Sequence, residues 1–164
     1  MNKKRIVSAA VVAAFALALP TAARSAGNDY GLLISKTAEQ ACVKYGEEYG
    51  ICPELLMAVA ETESGGDRMA RNGSCKGLMQ ISERWNADRM RRLGVTDLYD
   101  EEQNIHCGAD LLAELAERYG EVSYALDRYN GNSRATYNYE HGILSAYARK
   151  VLERSEKLER MHGK

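Results

Sequence analysis

Apolar residues in this chain recur at three- and four-residue spacing, and nowhere do β-branched residues sustain the two-residue alternation of a half-buried strand. That periodicity restricts the chain to a mostly helical fold. A first helix is predicted over 30–49, with Ile34, Ala38, Ala41, Tyr45 and Tyr49 on one face and Gly50 as its stop. A second starts at Pro53, whose fixed φ suits a first helical position, carries Glu54 in its first turn and ends before Gly65-Gly66. A short helix is predicted over 86–93, closed by Gly94. Asp100 and Gln103 form a capping box for a long helix bearing Ile105, Leu112, Leu115 and Tyr119 and stopped by Gly120. Another short helix is expected over 122–129, and the Asn-, Gly- and Ser-rich stretch 130–139 reads as a loop. The last helix is expected from about 144, with Ala148, Val151, Leu152 and Ser155 on one side, followed by a charged tail over 156–164 that should fray.

The first 25 residues follow a different logic. Lys3, Lys4 and Arg5 precede an apolar run over 6–19, then Pro20 and small residues through Ala26. This is the pattern of a secretory signal, and its apolar run of 14 residues is too short to span a bilayer comfortably. Cleavage after Ala23 and cleavage after Ser25 both satisfy the small-residue rule. The expected product is exported, without stable membrane insertion once the signal is removed, and works in the periplasm or cell wall. It contains no internal repeat or low-complexity linker, so 26–155 is expected to form one domain. Net charge excludes a further class. The whole chain has 22 Lys and Arg against 23 Asp and Glu; taking away the four cations of the leader (with Arg24) leaves 18 against 23, or −5. No basic field exists to neutralise phosphates, so a nucleic-acid partner is not expected.

Export also colours the cysteines. Cys42, Cys52, Cys75 and Cys107 all follow the leader and are candidates for two disulfides, with three pairings open. Their spacings match no zinc knuckle, and His106, His141 and His162 form no ligand set, so neither a metal nor a cofactor is expected.

One polar residue breaks the apolar logic. In the second helix Leu56, Val59, Ala60 and Glu63 fall at i, i+3, i+4 and i+7, which points the Glu63 carboxylate along the buried stripe. Such a carboxylate must find a partner or take a raised pKa, and the raised pKa is what a general acid needs. Glu61 lies about 200° away around the helix and is expected to face solvent. Downstream, Gly77-Leu78-Met79-Gln80 combines a glycine that permits close backbone approach with an apolar pair and an amide.

Glu63-Ser64 followed after twelve residues by Gly77-Leu78-Met79-Gln80 resembles the lytic transglycosylase family with the lysozyme-like SLT domain. Three more matches keep the family's order: Asn104-Ile105 with Gly108, Ala125 with Tyr129-Asn130, and Tyr147 with Lys150-Val151-Leu152. The chain departs from the pattern in having Tyr129-Asn130-Gly131-Asn132 where Tyr-Asn-Ala-Gly is usual, and Lys76 where an apolar residue is common.

The resemblance implies a single lysozyme-like helical domain that cleaves the β-1,4 bond between N-acetylmuramic acid and N-acetylglucosamine in peptidoglycan glycan strands. It implies Glu63 as the lone catalytic acid and base, with the muramoyl 6-hydroxyl attacking in place of water and no second carboxylate as nucleophile. Gln80 would orient Glu63 or the sugar, and Gly77, Leu78 and Met79 would line the adjoining subsite. Tyr129 and Asn130 would approach the acetamido group, and Tyr147 would hydrogen-bond near Glu63. Ser64 has two readings, an orienting residue or a helix-end cap. Asn104 and Ile105 read as structural support behind the cleft. Ten tyrosines and one tryptophan suit a sugar groove that needs an apolar face and a hydroxyl together. The competing readings are a goose-type lysozyme, in which water replaces the 6-hydroxyl, and a non-catalytic peptidoglycan-binding module, which the presence of Glu63 disfavours. The biological setting is general wall turnover or opening of the wall for a secretion or conjugation apparatus.

Overall fold

The computed structural model describes residues 31–164; the expected leader over 1–25 lies outside them. Seven helices and one small sheet make up the described residues. Helix α1 (Lys36–Tyr49) starts where the Ser35 hydroxyl accepts the Ala38 N–H at 3.1 Å and stops at Gly50, whose φ of 68° breaks the helical path. Helix α2 (Pro53–Ser64) begins at the predicted proline and ends at Gly65, again left-handed. Strands β1 (Arg71–Asn72), β2 (Cys75–Lys76) and β3 (Ile81–Ser82) form an antiparallel sheet in sequence order, pairing Asn72 with Cys75 and Lys76 with Ile81. Next come α3 (Glu83–Leu93), α4 (Glu101–Tyr119), α5 (Val122–Tyr129), α6 (Ala135–Glu140) and α7 (Ala146–Met161).

Helix α2 is the hub. It packs against α1, α4 and α7, and Leu55 through Ala60 are buried without a break, so burial surrounds it rather than following one stripe. This corrects the expectation for Glu61, which faces protein. Its Oε1 accepts the Leu33 N–H at 2.8 Å and its carboxylate is clamped by Arg154 of α7. The same bond accounts for the late start of α1: Leu33 lies in an arm laid against α2, and helix begins only after the Ser35 cap.

Three further expectations change. The stretch read as a loop contains α6, because Ala135 and Asn138 are buried and Asn138 Nδ2 donates to Asp127 Oδ2 at 3.0 Å. The predicted start of the short helix at Asn86 is instead a kink inside α3, with φ −116° and ψ 15°. The tail does not fray. Leu158 is fully buried, α7 continues to Met161, and the residues beyond it fold back onto α2. There His162 Nδ1 lies 2.6 Å from Glu54 Oε1, and Lys164 Nζ donates to both Glu54 oxygens at 2.8 and 2.9 Å. Cys52 Sγ donates to the same carboxylate at 3.1 Å. Burial alone would raise the Glu54 carboxyl, but Lys164, His162 and Cys52 outweigh it and hold it down to about 2.

The two expected disulfides are not formed: Cys42, Cys52, Cys75 and Cys107 are free thiols. Cys42 and Cys107 are absorbed into the apolar core as small hydrophobes, and Cys52 is engaged with Glu54. Among the described residues no helix is long and apolar enough to cross a membrane, and no group of three or more His, Cys, Asp or Glu could hold a metal ion.

Candidate active site

Glu63 reaches the end of α2 with its carboxyl half-buried, one residue before the helix stops. Desolvation raises its pKa above the ordinary carboxylate value; a hydrogen bond from Tyr147 and the charge of Lys150 pull the other way without cancelling it. The Tyr147 hydroxyl donates to Glu63 Oε1 at 2.6 Å. Burial, with the Glu63 charge beside it, pushes the Tyr147 phenol far above its usual range, so it remains a neutral donor.

Tyr147 owes its place to the start of α7. Ser145 caps that helix by accepting the Ala148 N–H at 3.0 Å, and the Ser145 hydroxyl in turn donates to Asp127 of α5. Asp127 is buried and holds α6 through Asn138 as well, so one carboxylate fixes α5, α6 and α7 around the site. Sequence reasoning passed over this pair. Ser145 was legible as a cap, lying just before the periodic residues of α7, but nothing in the pattern marked Asp127.

The segment 77–80 is tied to the same site through Tyr129. The side chains of Leu78 and Met79 are fully buried, so their contribution is packing, and Met79 is pressed so closely onto α4 that a Cβ on Gly108 would overlap its sulfur. The backbone of the segment is pinned from both sides. Met79 N–H donates to Asn104 Oδ1 at 2.8 Å, and the Tyr129 hydroxyl donates to the Met79 carbonyl at 2.8 Å. Asn104 Nδ2 donates to the carbonyls of Lys76 (3.0 Å) and Leu98 (2.8 Å), which gives it the supporting role expected of it. Gly77 is required here: its φ is +74°, and a Cβ would overlap the Leu98 carbonyl and the Asn104 amide. Gln80 adopts φ +47°, unusual for a residue with a side chain, and its amide donates to Ala70 O at 3.2 Å and Gly77 O at 2.9 Å.

Most of the residues singled out from sequence therefore meet. Tyr147 touches Glu63, and Tyr129, partly buried against the core, is raised well above its ordinary pKa by desolvation and by the nearby Glu63 charge. Asn130 ends α5 exposed, its side chain making no hydrogen bond among the described residues. Ser64 makes the contacts of a helix-end cap. Its hydroxyl donates to Ala60 O at 2.9 Å and accepts the Gly66 N–H at 3.2 Å, so it closes the helix end and makes no hydrogen bond to Glu63. Chemically, the site offers one carboxyl disposed to hold a proton and a neutral phenol that stabilises it once the proton has left.

The family profile described as "Transglycosylase SLT domain" matches residues 40–157. The chain is 40% identical over 87 residues to a protein named "Transglycosylase" from Enterobacteria phage PRD1, an alignment that covers 52% of this chain and 31% of that one. It is 33% identical over 127 residues to "Protein IpgF" of Shigella sonnei, covering 67% of this chain and 80% of IpgF. A third relative, "Membrane-bound lytic murein transglycosylase F" of Desulfosudis oleivorans, is 36% identical over 95 residues, covering 53% of this chain and 20% of its own length. The chain thus spans about a third of the phage protein and most of IpgF.

Proposed function

The chain belongs to the transglycosylase SLT domain family, and from that premise we propose that it is a lytic transglycosylase of peptidoglycan acting outside the cytoplasm. It cleaves the β-1,4 bond between N-acetylmuramic acid and N-acetylglucosamine and leaves 1,6-anhydromuramoyl ends. The observation that carries this reading is the half-buried Glu63, raised by desolvation and held at 2.6 Å by a neutral phenol rather than by a cation. The signal-like leader and the names of two relatives, one a transglycosylase and one a lytic murein transglycosylase, agree with it.

Protonated Glu63 donates to the glycosidic oxygen as the bond from the muramoyl C1 to that oxygen breaks, so the N-acetylglucosamine leaves with a free 4-hydroxyl. The acetamido oxygen of the muramoyl unit closes on C1 and carries the positive charge as an oxazolinium-like species; this is the group that the family resemblance assigns to Tyr129 and Asn130. Glu63 is now a carboxylate and is stabilised by the Tyr147 hydroxyl. It removes the proton of the muramoyl 6-hydroxyl as that oxygen forms its bond to C1 and the acetamido oxygen departs. The proton returns to Glu63, and no water is consumed.

The test is mass spectrometry of muropeptides after digestion and borohydride treatment. Anhydro ends resist reduction and are lighter than alditol ends by one water and the two added hydrogens. A digest with only reducible ends converts the reading to a goose-type lysozyme. Glu63→Gln should lose about 10²- to 10⁴-fold in rate while keeping the fold. Glu61→Gln is unsuited as a neutral control because Glu61 is paired with Arg154, so the exposed Glu47→Gln serves instead.

A further inference from the structure

Lys150 lies one turn beyond Tyr147 on α7, and residues three apart on a helix share a face. Tyr147 on that face reaches Glu63 at 2.6 Å. Lys150 is exposed and makes no hydrogen bond or ion pair among the described residues, whereas Arg154, one turn further along the same helix, is engaged with Glu61. Its charge nonetheless reaches Glu63 and draws that carboxyl towards ionisation.

A free cation beside a general acid works against the reaction, because it favours loss of the proton that must be delivered. The conflict disappears if the substrate neutralises the cation on binding. The glycan backbone of peptidoglycan is uncharged, but the muramoyl ring that is cut at C1 carries a lactyl ether at O3 of the same ring. That ether ends in a carboxylate in peptide-free strands and carries the acidic stem peptide elsewhere. We propose that Lys150 is a substrate-binding residue that receives a carboxylate of the muramoyl substituent, supplied by the free lactyl group or by the stem peptide. The inference rests on the transglycosylase reading and names what the same cleft recognises. Pairing with that carboxylate anchors the strand and relieves Glu63 of the charge that opposes its protonation, so the acid is readied only when a muramoyl unit is in place.

The test uses the full chain with Lys150→Met, which keeps the apolar stem, and Lys150→Arg, which keeps the charge. KM is measured on strands stripped by an amidase, on peptide-bearing strands, and on both after conversion of their carboxyls to methylamides. Lys150→Met should raise KM about tenfold, or about 1.4 kcal/mol, on the strands that hold the recognised carboxylate. Lys150→Arg should restore it to within about threefold, and on methylamide strands Lys150→Met and wild type should agree. A loss on stripped strands identifies the lactyl group, and a loss confined to peptide-bearing strands identifies the stem. An unchanged KM on both, or an equal loss on methylamide strands, overturns the proposal. Co-sedimentation of Glu63→Gln with and without Lys150→Met reads binding without chemistry. A failure of the transglycosylase reading, seen as reducible ends, is thereby separated from a failure of carboxylate recognition, seen as binding indifferent to Lys150.

Discussion

The clasp on Glu54 gives a prediction whose size and sign both follow from geometry. Glu54 stands in the first turn of the central helix, 1% exposed, and collects Lys164, His162 and Cys52. Its carboxyl is held down to about 2 from an ordinary 4.5. At about 1.4 kcal/mol per pH unit, ionised Glu54 contributes on the order of 3 kcal/mol. Lys164 is 32% exposed, so solvent screening reduces the expected figure to about 2 kcal/mol.

A carboxyl with a depressed folded pKa stabilises fully above its unfolded pKa, and that stability is lost as pH falls through the folded value. The window therefore runs from about pH 4.5 down to about pH 2. Glu54→Gln should be less stable than wild type by about 2 kcal/mol at pH 6, and the gap should close towards pH 2. Gln also leaves the two basic groups facing an amide at every pH, so the informative quantity is the change in the gap rather than its absolute size. Urea unfolding followed by circular dichroism at pH 6, 4 and 2.5 measures it. A gap that stays constant, or that widens on acidification, would show that Glu54 is not held ionised by the C-terminal residues.

Three shorter predictions concern the cleft. Tyr147→Phe removes the donor to Glu63 Oε1, so the Glu63 pKa should rise further and kcat should fall about tenfold, the cost of one hydrogen bond to a charged group; a pH–rate profile whose alkaline limb does not move upward would count against that contact. Gly77→Ala should destabilise by about 2 kcal/mol or more, read as a lower midpoint in urea, because a Cβ overlaps the Leu98 carbonyl and the Asn104 amide at positive φ. Glu63→Gln should gain stability over wild type as pH rises from 4 to 7, since a raised folded pKa means that ionisation opposes folding above the unfolded value; a difference that stays flat over that range would mean that Glu63 occupies a charge-stabilising setting.

The helices and Glu63 were legible because both depend on spacing. The apolar stripe through Leu56, Val59 and Ala60 fixed the direction of the seventh residue along it, and the structure buries those three and desolvates Glu63. Glu61 was misjudged by the same rule, which assumes a helix with one wet face. The segment Leu55–Ala60 has no polar residue at all, the mark of a helix covered on every side, and that composition outranks the angle. The tail was misjudged by its charge, although Val151, Ser155, Leu158 and His162 continue a helical face straight through it. Other features left no trace in the pattern. Each strand has two residues, too few to alternate. The grip of Asn104 on the 77–80 segment and of Asp127 on Ser145 are contacts between residues distant in sequence, which a single chain does not announce.

Three carboxylates along α2 show how one buried helix assigns different tasks to the same functional group. Glu54 at its start faces Lys164 and His162, and Glu61 in its last turns faces Arg154; each is bound to a cation and cannot release that charge without loosening a neighbouring element. Glu63, two residues beyond Glu61, faces a phenol. A cation in the place of Tyr147 would hold Glu63 ionised and leave no proton to donate. An apolar residue there would keep the proton but leave the carboxylate unsupported once it had been given up. A neutral hydroxyl permits both states, which is the property a single acid needs when it must also serve as the base. The fixed pairs at Glu54 and Glu61 anchor α2 to the C-terminal residues and to α7, and α7 is the helix that carries Tyr147. The carboxylates of Glu54 and Glu61 thus hold in register the helix that carries Glu63 and the phenol that it faces.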